Sequence, residues 1–527
     1  MMKASVISVF VLLVAQGAAA ETAAPSAAAS PFEGPEVLAP ESGIDKLVFG
    51  RLKELDIRPA NLCSDAAFVR RVYLDVLGTL PTAQEAKDFL KDNDPGKRGA
   101  LIDRLLDREE FVDYWAMKWS ELLRVKAEFP VNLWPNAAQA YRHWIRTCIK
   151  ENKPYDRFVR EMLTANGSNF RVPPVNFYRA VQSKEPQALA QAVALTFMGT
   201  RAENWPKEQL SGMAAFFSQV GYKATAEWKE EIVFFDPGKT GGAASPAACF
   251  PDGTPARLAP DQDPRELFAD WLMKPENPWF ARNIVNRIWS WLLGRGIIQE
   301  PDDIRPDNPP SHPKLLAYLE RELVANRYDL KHIYRLILNA QTYQLSCISS
   351  APDPRGEALF AHYPLRRLDA EVLIDALCQI TGTTEAYSSA IPEPFTFIPE
   401  DQRAIALPDG SITSSFLEMF GRPPRDTGLE SERTNRPTAD QRLHLLNSSH
   451  VQRKLEQGPR IRSLLQSGKG SREVVTEVYL TILSRFPTEE ELKIVEAYQR
   501  SGTAKGREAL LDLAWALINS AEFLYRH

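Results

Sequence analysis

The chain has 527 residues, of which 44% are hydrophobic and 25% are charged. This composition excludes a wholly disordered protein, and the length exceeds what one ordinary core needs, so more than one domain is expected. The net charge is −5. Acidic and basic residues are interleaved along the chain, which gives no electrostatic reason to expect nucleic acid as a partner.

The first twenty residues have the three parts of a secretory signal peptide. Lys3 provides the positive start, Val6 to Val14 form an apolar core, and three alanines ending at Ala20 give a small-residue cleavage site. The alternative is an N-terminal membrane anchor, but the apolar run is shorter than the roughly 20 residues that a span needs. We therefore expect residues 1–20 to be removed, no transmembrane segment in the mature chain, and a periplasmic or extracellular location.

The next part of the sequence predicts a tail followed by a helical domain. Residues 21–43 are rich in Ala, Pro and Ser, which is typical of a flexible segment. Apolar residues then recur at spacings of three and four, and this predicts an N-terminal helical domain over residues 44–235. A short β-like run, Glu231–Phe235, closes it. Core packing is the expected role of the tryptophans at helical spacing: Trp115, Trp119, Trp134 and Trp144.

A second helical domain is expected over residues 263–527. Residues 236–262 are rich in Gly, Pro, Ala and Ser and predict a linker or a small irregular module. Asp263 with Glu266 makes a D-x-x-E capping pattern, and Pro264 occupies the first helical position.

The expected fold class is mainly α, with two helical domains joined by a Gly/Pro-rich segment and minor β structure. A long polar loop from Thr381 to about Thr438 interrupts the second domain. The lack of alternating strand and helix patterns argues against a Rossmann or TIM-type fold.

One pattern occurs twice in the chain. "VYLDVLGTLPTAQEA" begins at Val72, and "VYLTILSRFPTEEEL" begins at Val478. Each predicts a helix, a turn and a new helix start, which together form a reused helical hairpin. The new helices have matching capping boxes, formed by Thr82 with Glu85 and by Thr488 with Glu491.

The stretch from Phe280 to Leu319 combines an Arg/Asn-rich helix with an acidic, proline-rich loop. Arg287 can reach the loop, and two interpretations are open. One is an ion-paired clamp that holds the loop on the helix; the other is a pocket in which a tryptophan stacks on a sugar ring while Asp and Arg bind its hydroxyls or anionic groups. His312 precedes a proline and is expected to cap the next helix. The candidate ligand-binding residues here are Arg282, Arg287, Asp302 and Asp303.

A second charged run extends from Phe420 to Asn447. It is either a solvated loop or, because arginines and acids alternate, a fixed loop with forked ion pairs. Docked near Arg366, it would complete one polar cleft, in which Glu430 and Glu432 are the weak candidates for an acid/base pair. The candidate ligand-binding residues of this cleft are Arg366, Arg367, Asp369, Arg422, Arg425 and Arg433.

Motifs for other chemistries are absent from the sequence. There is no G-x-S-x-G, H-E-x-x-H or P-loop pattern, and the five cysteines form no C-x-x-C pair. Asp302 and Asp303 are adjacent carboxylates, but the D-x-D-x-D ladder of a calcium loop is missing. His444 and His450 are weak as a metal pair. No metal site is therefore predicted.

Several motifs resemble one family. "FVRRVYLDVLGTLPTAQE", "NKPYDRFVREML" and "ALTFMGT" resemble the N-terminal domain of a large secreted family of unknown function, the planctomycete-type cytochrome-associated proteins. "FARNIVNRIWSWLLGRGI", "RRLDAEVLIDAL" and "QRLHLLNSSHV" resemble its companion C-terminal domain, also of unknown function. The resemblance covers the chain from about residue 44 to its end.

The chain departs from this family where a cofactor would be held. Family members commonly have a C-x-x-C-H type motif after the "TFMGT" position, whereas this chain has Arg201, Glu203, Asn204 and Trp205 there. A thioether haem needs two thiols and an axial histidine, so no haem is expected at this place. Relatives also have a cysteine beside the motif that reads "GLESER" here.

Three functions are compatible with these observations. The first is an exported binding or structural component with a polar Arg/Asp/Glu cleft in the C-terminal domain, whose partner is an extracellular glycan or a cell-envelope protein. The second is a carboxylate-dependent hydrolase of extracellular glycans. The third is a haem-less redox accessory protein, which the family resemblance implies and the missing cysteines oppose.

Overall fold

The computed structural model describes residues 30–35, 38–239, 247–259, 261–350, 353–502, 504 and 506–527. The predicted signal peptide, part of the predicted tail and part of the predicted linker lie outside these residues. The protein is about 52% helical and 5% strand, which confirms the mainly α prediction. Among the described helices, none has the length and apolar character needed to span a bilayer.

The first half of the chain is a succession of helices with one small sheet. Its helices are α1 (Gly43–Glu54), α2 (Asp65–Val76), α3 (Ala83–Lys91), α4 (Lys97–Leu106), α5 (Glu109–Leu122), α6 (Pro135–Lys150), α7 (Tyr155–Thr164), α8 (Asn176–Arg179), α9 (Pro186–Val193), a π-helical turn (Ala194–Met198) and α10 (Lys207–Ala214). Short 3₁₀ turns lie at Pro173–Val175, Ala202–Asn204 and Ala215–Phe217.

The second half is also helical and is interrupted by the predicted loop. Its helices are α11 (Pro264–Leu272), α12 (Phe280–Leu293), α13 (Pro313–Ala325), α14 (Leu330–Asn339), α15 (Ala370–Thr381), α16 (Ser415–Met419), α17 (Ala439–Asn447), α18 (Ser449–Gln457), α19 (Pro459–Gln466), α20 (Ser471–Leu483), α21 (Glu489–Arg500), α22 (Arg507–Ile518) and α23 (Ala521–Leu524). Two 3₁₀ turns, Ala404–Ala406 and Glu430–Glu432, lie in the long loop.

The strands form two small antiparallel sheets. β1 (Gly167–Ser168), β3 (Glu231–Phe235) and β2 (Val220–Ala224) form one sheet in that spatial order, so the predicted β run is confirmed. The other sheet pairs β4 (Arg366–Arg367) with β5 (Tyr525–Arg526), with Arg366 opposite Arg526. This second pairing brings two distant segments of the chain to the same place.

The predicted helix starts are confirmed. Both capping boxes of the duplicated pattern form. In each, the N-cap threonine side chain accepts from the backbone N–H of the glutamate three residues later, and the glutamate side chain accepts from the threonine backbone N–H. Asp263 caps α11, with Pro264 at the first helical position, but its side chain accepts from the backbone N–H of Arg265 and the predicted capping pair with Glu266 does not form. The two duplicated hairpins also contact each other, because α20 packs on α3.

The two sequence blocks share one hydrophobic core. The cluster of buried apolar residues extends from Ile44 to Phe523. Helices of the first block pack directly on helices of the second: α1 on α13, α4 on α14, α7 on α11, and the π-helical turn on α12. The predicted domain limits therefore divide the sequence without dividing the core.

Aromatic rings fill the seam between the blocks. The Trp115 ring centroid lies 5.4 Å from that of Trp291 and 4.4 Å from that of Tyr334. Trp115 and Trp119 are both buried, which confirms their expected role in the core. A rigid seam of this kind fixes the groups that both blocks contribute to a cleft.

Candidate functional site: a charged cleft between the blocks

A buried ion pair anchors the acidic loop to α12. Arg287 Nη2 donates to Asp302 Oδ1 at 2.6 Å, and both side chains are at most 1% exposed. Asn286 makes two hydrogen bonds with the backbone of Ile298. Its amide nitrogen donates to the carbonyl oxygen, and its amide oxygen accepts from the N–H. The clamp interpretation of this stretch is therefore confirmed.

The same aspartate joins this loop to the second charged run. The backbone N–H of Glu430 donates to Asp302 Oδ2 at 2.6 Å. Asp302 thus uses one oxygen for α12 and the other for the second loop, and the two charged segments of the sequence meet at one buried carboxylate. Adjacent Asp303 turns away and pairs with Arg305 at 3.2 Å, so the two aspartates do not share a ligand position.

Arg433 fixes the second loop to α15 and α5. Its guanidinium bonds both oxygens of Glu371, at 2.9 and 3.0 Å, and both oxygens of Glu121. Burial alone would raise the pKa of Glu371, but the charge and hydrogen bonds of Arg433 outweigh it and lower that pKa to about 2. The run is thus a fixed loop and not a solvated one.

Asp369 is the acidic centre of the cleft. It lies just before α15 and accepts from Lys118 at 3.1 Å, Arg526 at 3.2 Å and Asn435 at 2.8 Å. Burial opposes ionisation, but Lys118, Arg433 and Arg526 together hold the pKa of Asp369 well below its usual range. This carboxylate is ionised and saturated with donors.

Arg366 is placed by the end of α12 and by a buried aspartate. Its guanidinium donates to the carbonyl oxygens of Trp291 and Leu292 at the helix C-terminus and to Asp75 at 3.0 Å. Gly294 ends this helix with φ 74°, and a Cβ there would lie 2.0 Å from Arg366 Cδ. Only glycine permits this approach.

These contacts form the walls of a cleft of about 490 Å³. Six cations and three acids line it: Lys118, Arg366, Arg367, Arg433, Arg436 and Arg526, with Glu300, Asp369 and Glu430. Arg367 and Arg436 have no ion-pair partner in the part of the chain that the structure describes. Arg526, which is 3% exposed, also has a buried Nε without a hydrogen-bond partner among the described residues. The cleft therefore has donors to spare.

The two candidate acid/base residues have different surroundings. Glu430 is 36% exposed and lines the cleft, and burial of its carboxyl group raises its pKa although Lys118 and Arg287 act against the shift. Glu432 accepts from the backbone N–H groups of Asp426 and Thr427 and from the Thr427 hydroxyl. The first carboxyl group faces the cleft, and the second holds its own loop together.

Other predicted residues lie beneath the cleft or outside it. Arg422 is buried and bonds the carbonyl oxygens of Asp409 and Ile412. Arg425 is 1% exposed, and none of its guanidinium nitrogens has a hydrogen-bond partner among the described residues; burial lowers its pKa to about 9. Arg282 and Asp303 line a separate cavity.

The tryptophans of α12 do not provide the ligand-stacking surface of the pocket interpretation. Trp289 is fully buried against Phe360, with ring centroids 5.0 Å apart, so it has no face for a ligand. Trp291 lines the cleft but is only 8% exposed. The expected stacking face is therefore missing from this helix, because its apolar side packs into the shared core.

The histidines have structural contacts. His312 Nδ1 accepts from the backbone N–H of Leu315 at 3.1 Å and so caps α13, as predicted. His450 lies 3.2 Å from His444 and 2.8 Å from Glu385. Among the described residues, no three acidic, histidine or cysteine side chains are grouped as metal ligands.

Sequence analysis missed several cleft residues from the first block. Lys118, Glu121 and Asp75 all contact the predicted arginines or Asp369. One signal could have found Asp75: it lies in a largely apolar helix that also buries Arg70 and Arg71, and it is 1% exposed. A charge on a buried helix face needs a partner of opposite charge, which the second block supplies.

Fold and cleft together define a mainly helical protein whose charged cleft is built by both sequence blocks. Residues 43–220 match the family described as PSCyt2, protein of unknown function (DUF1549), and residues 264–499 match PSD1, protein of unknown function (DUF1553). The chain belongs to the proteins that combine these two domains, as the resemblance predicted. No curated protein and no solved structure matches it.

Proposed function

We propose that the protein is an extracytoplasmic binding component whose cleft takes an anionic group of an extracellular glycan. The observation that carries this is that two of the six cations lining the cleft have no ion-pair partner among the described residues. Arg367 and Arg436 supply charge that no described acid neutralises, and guanidinium groups bind carboxylate and sulfate in forked geometry. The signal-like first twenty residues support export.

This proposal includes no haem. The segment from Arg201 to Trp205, where the family resemblance would put a haem motif, offers neither a thiol nor an imidazole, and a thioether haem requires both. Purified protein is therefore expected to show no absorbance in the haem Soret region. A Soret band would instead support the redox accessory function.

Removing the unpaired cations is expected to weaken anion binding. The probes are alginate and dextran sulfate, with neutral dextran for comparison, measured by calorimetry at low and high salt. The R367A/R436A double variant should lose about tenfold or more in affinity for the anionic polymers, because a hydrogen bond to a charged group contributes about 1.5–3 kcal/mol. Binding by the wild-type protein should weaken as salt rises.

The matched control is Arg500→Ala, which removes an exposed arginine on α21. It should bind as the wild-type protein does. Equal binding of neutral dextran, or no loss in the double variant, would contradict an anion-binding cleft.

The second candidate function is carboxylate-dependent glycan hydrolysis. The cleft holds Glu430, whose pKa is raised, and Asp369, whose pKa is lowered. Two carboxyl groups whose pKa values are shifted in opposite directions are typical of a catalytic acid and base. Against it, Asp369 already accepts hydrogen bonds from four side chains.

Glu430→Gln separates the two functions. For a hydrolase, we expect turnover of the bound glycan to fall about 10²–10⁴-fold with binding retained, since this is the usual contribution of a general acid. Glu300→Gln, which removes another carboxylate that lines the cleft, is the control and should leave turnover unchanged. If the wild-type protein binds the glycan and releases no shorter products, the binding function stands alone.

A further inference from the structure

A second cavity lies on the other side of the acidic loop. Its volume is about 630 Å³, within the range of small-molecule sites. Three segments form it: the stretch from Thr200 to Gln209, the start of α12, and the loop from Asp303 to Pro310. The acidic loop separates this cavity from the cleft: its earlier residues, Gln299 to Pro301, line the cleft, and its later residues, Asp303 to Pro310, line the cavity.

Two tryptophans line this cavity with part of their surface exposed. Trp205 and Trp279 are each half-buried and packed against the core. Trp279 also rests on Trp271, with ring centroids 5.8 Å apart, which fixes its plane. A rigid indole with one exposed face provides apolar contact area at a small cost in conformational entropy.

Amide and carboxylate groups surround the two rings. Asn308 uses its amide nitrogen to donate to the carbonyl oxygens of Gln299 and Asp303, and Gln209 donates likewise to the carbonyl oxygen of Pro251. The oxygen of each amide is then the atom left to accept. Arg201 has a buried Nε without a hydrogen-bond partner among the described residues. The cavity thus offers both donors and acceptors.

The charges of this cavity are balanced, unlike those of the cleft. Each of its three arginines has a carboxylate within 4 Å: Arg201 has Glu300 at 3.9 Å, Arg282 has Glu320 at 2.7 Å, and Arg305 has Asp303 at 3.2 Å and Asp307 at 3.5 Å. A net anionic or cationic ligand would gain little here. An uncharged ligand with an apolar face and several hydroxyl groups fits the lining.

We infer that this cavity binds a neutral hexose unit of a polysaccharide, with the pyranose face on Trp205 or Trp279 and the hydroxyls on the amide and carboxylate groups. The site is separate from the anion site of the cleft and needs no charge on the glycan. The stacking rings are then not the buried tryptophans of α12, as one interpretation of the sequence had it. They are Trp279, just before that helix, and Trp205 of the first block.

The test is binding of neutral hexasaccharides to the full protein by calorimetry, with linear β-1,4-glucose, β-1,3-glucose and β-1,4-mannose oligomers as probes. At least one should bind. Trp205→Ala and Trp279→Ala should each weaken that binding tenfold or more, since stacking on an aromatic ring is removed. Trp205→Phe and Trp279→Phe keep a ring and should recover part of the affinity, which separates a lost contact from a misfolded variant.

Trp228→Ala is the matched control, because Trp228 is 70% exposed and does not line this cavity. It should bind as the wild-type protein does, and so should the R367A/R436A variant of the cleft. The inference is overturned if none of the three oligomers binds, if both alanine variants retain full affinity, or if Trp228→Ala loses as much. Loss of anion binding in the cleft variant alone bears only on the proposed function.

Discussion

Replacing Arg287 with alanine is expected to lower the free energy of unfolding by about 3–5 kcal/mol, because breaking a buried ion pair leaves an uncompensated charge. Asp302 would remain fully buried with only the Glu430 N–H as a donor. Because Asp302 joins two loops, the variant should also release both, and proteolysis between residues 299 and 310 should speed up. Urea denaturation and limited proteolysis measure the two effects.

Arg305→Ala is the control for this prediction. Arg305 pairs with Asp303 and Asp307 in the same loop, but its side chain is 52% exposed. Exposed pairs contribute about 0–1 kcal/mol, so this variant should unfold almost as the wild-type protein does. Equal losses in the two variants would show that loop composition, and not the buried pair, sets stability here.

Glu371 is expected to make the protein sensitive to acid. Its pKa falls from an ordinary 4.5 to about 2 in the folded state, so the unfolded chain binds its proton first. The stability that this group contributes is complete above about pH 4.5 and is lost as the pH falls toward 2. Each pKa unit corresponds to about 1.4 kcal/mol, which gives about 3 kcal/mol for the whole shift.

Glu371→Gln isolates this contribution. The variant should be less stable than the wild-type protein by about 3 kcal/mol at pH 7, and the two stability curves should converge as the pH approaches 2. Urea denaturation at a series of pH values measures both curves. Glu54→Gln, at an exposed carboxylate beside Arg51, should follow the wild-type curve throughout. A constant difference between Glu371→Gln and the wild-type protein would show that the carboxylate is not the titrating group.

Local structure could be predicted from the sequence because its causes are local. The capping boxes at Thr82 and Thr488, the strand Glu231–Phe235 and the cap by His312 each depend on residues within a few positions. The clamp between Arg287 and Asp302 could also be predicted from the sequence, since only 15 positions separate the two residues.

The composition of the cleft could be predicted only in part. The second block's charged runs indicated Arg366, Asp369, Glu430 and Arg433, but nothing in their spacing points to Lys118 in the first block. Glu430 and Glu432 lie two positions apart in the same charged run, and only the fold turns one to the cleft and the other to its own loop. Long-range packing decides such differences, and periodicity carries no information about it.

The pairing of β4 with β5 has a consequence for how the protein matures. Arg526 completes the cleft by bonding Tyr114, which lies 412 positions earlier, and also Asp75 and Asp369. A ribosome that has made the first block has therefore made no usable cleft. The buried Asp75 receives its cationic partners only from the second block, first Arg366 and last Arg526. Anion binding at the proposed cleft site would report that synthesis through residue 526 and docking of that strand are finished.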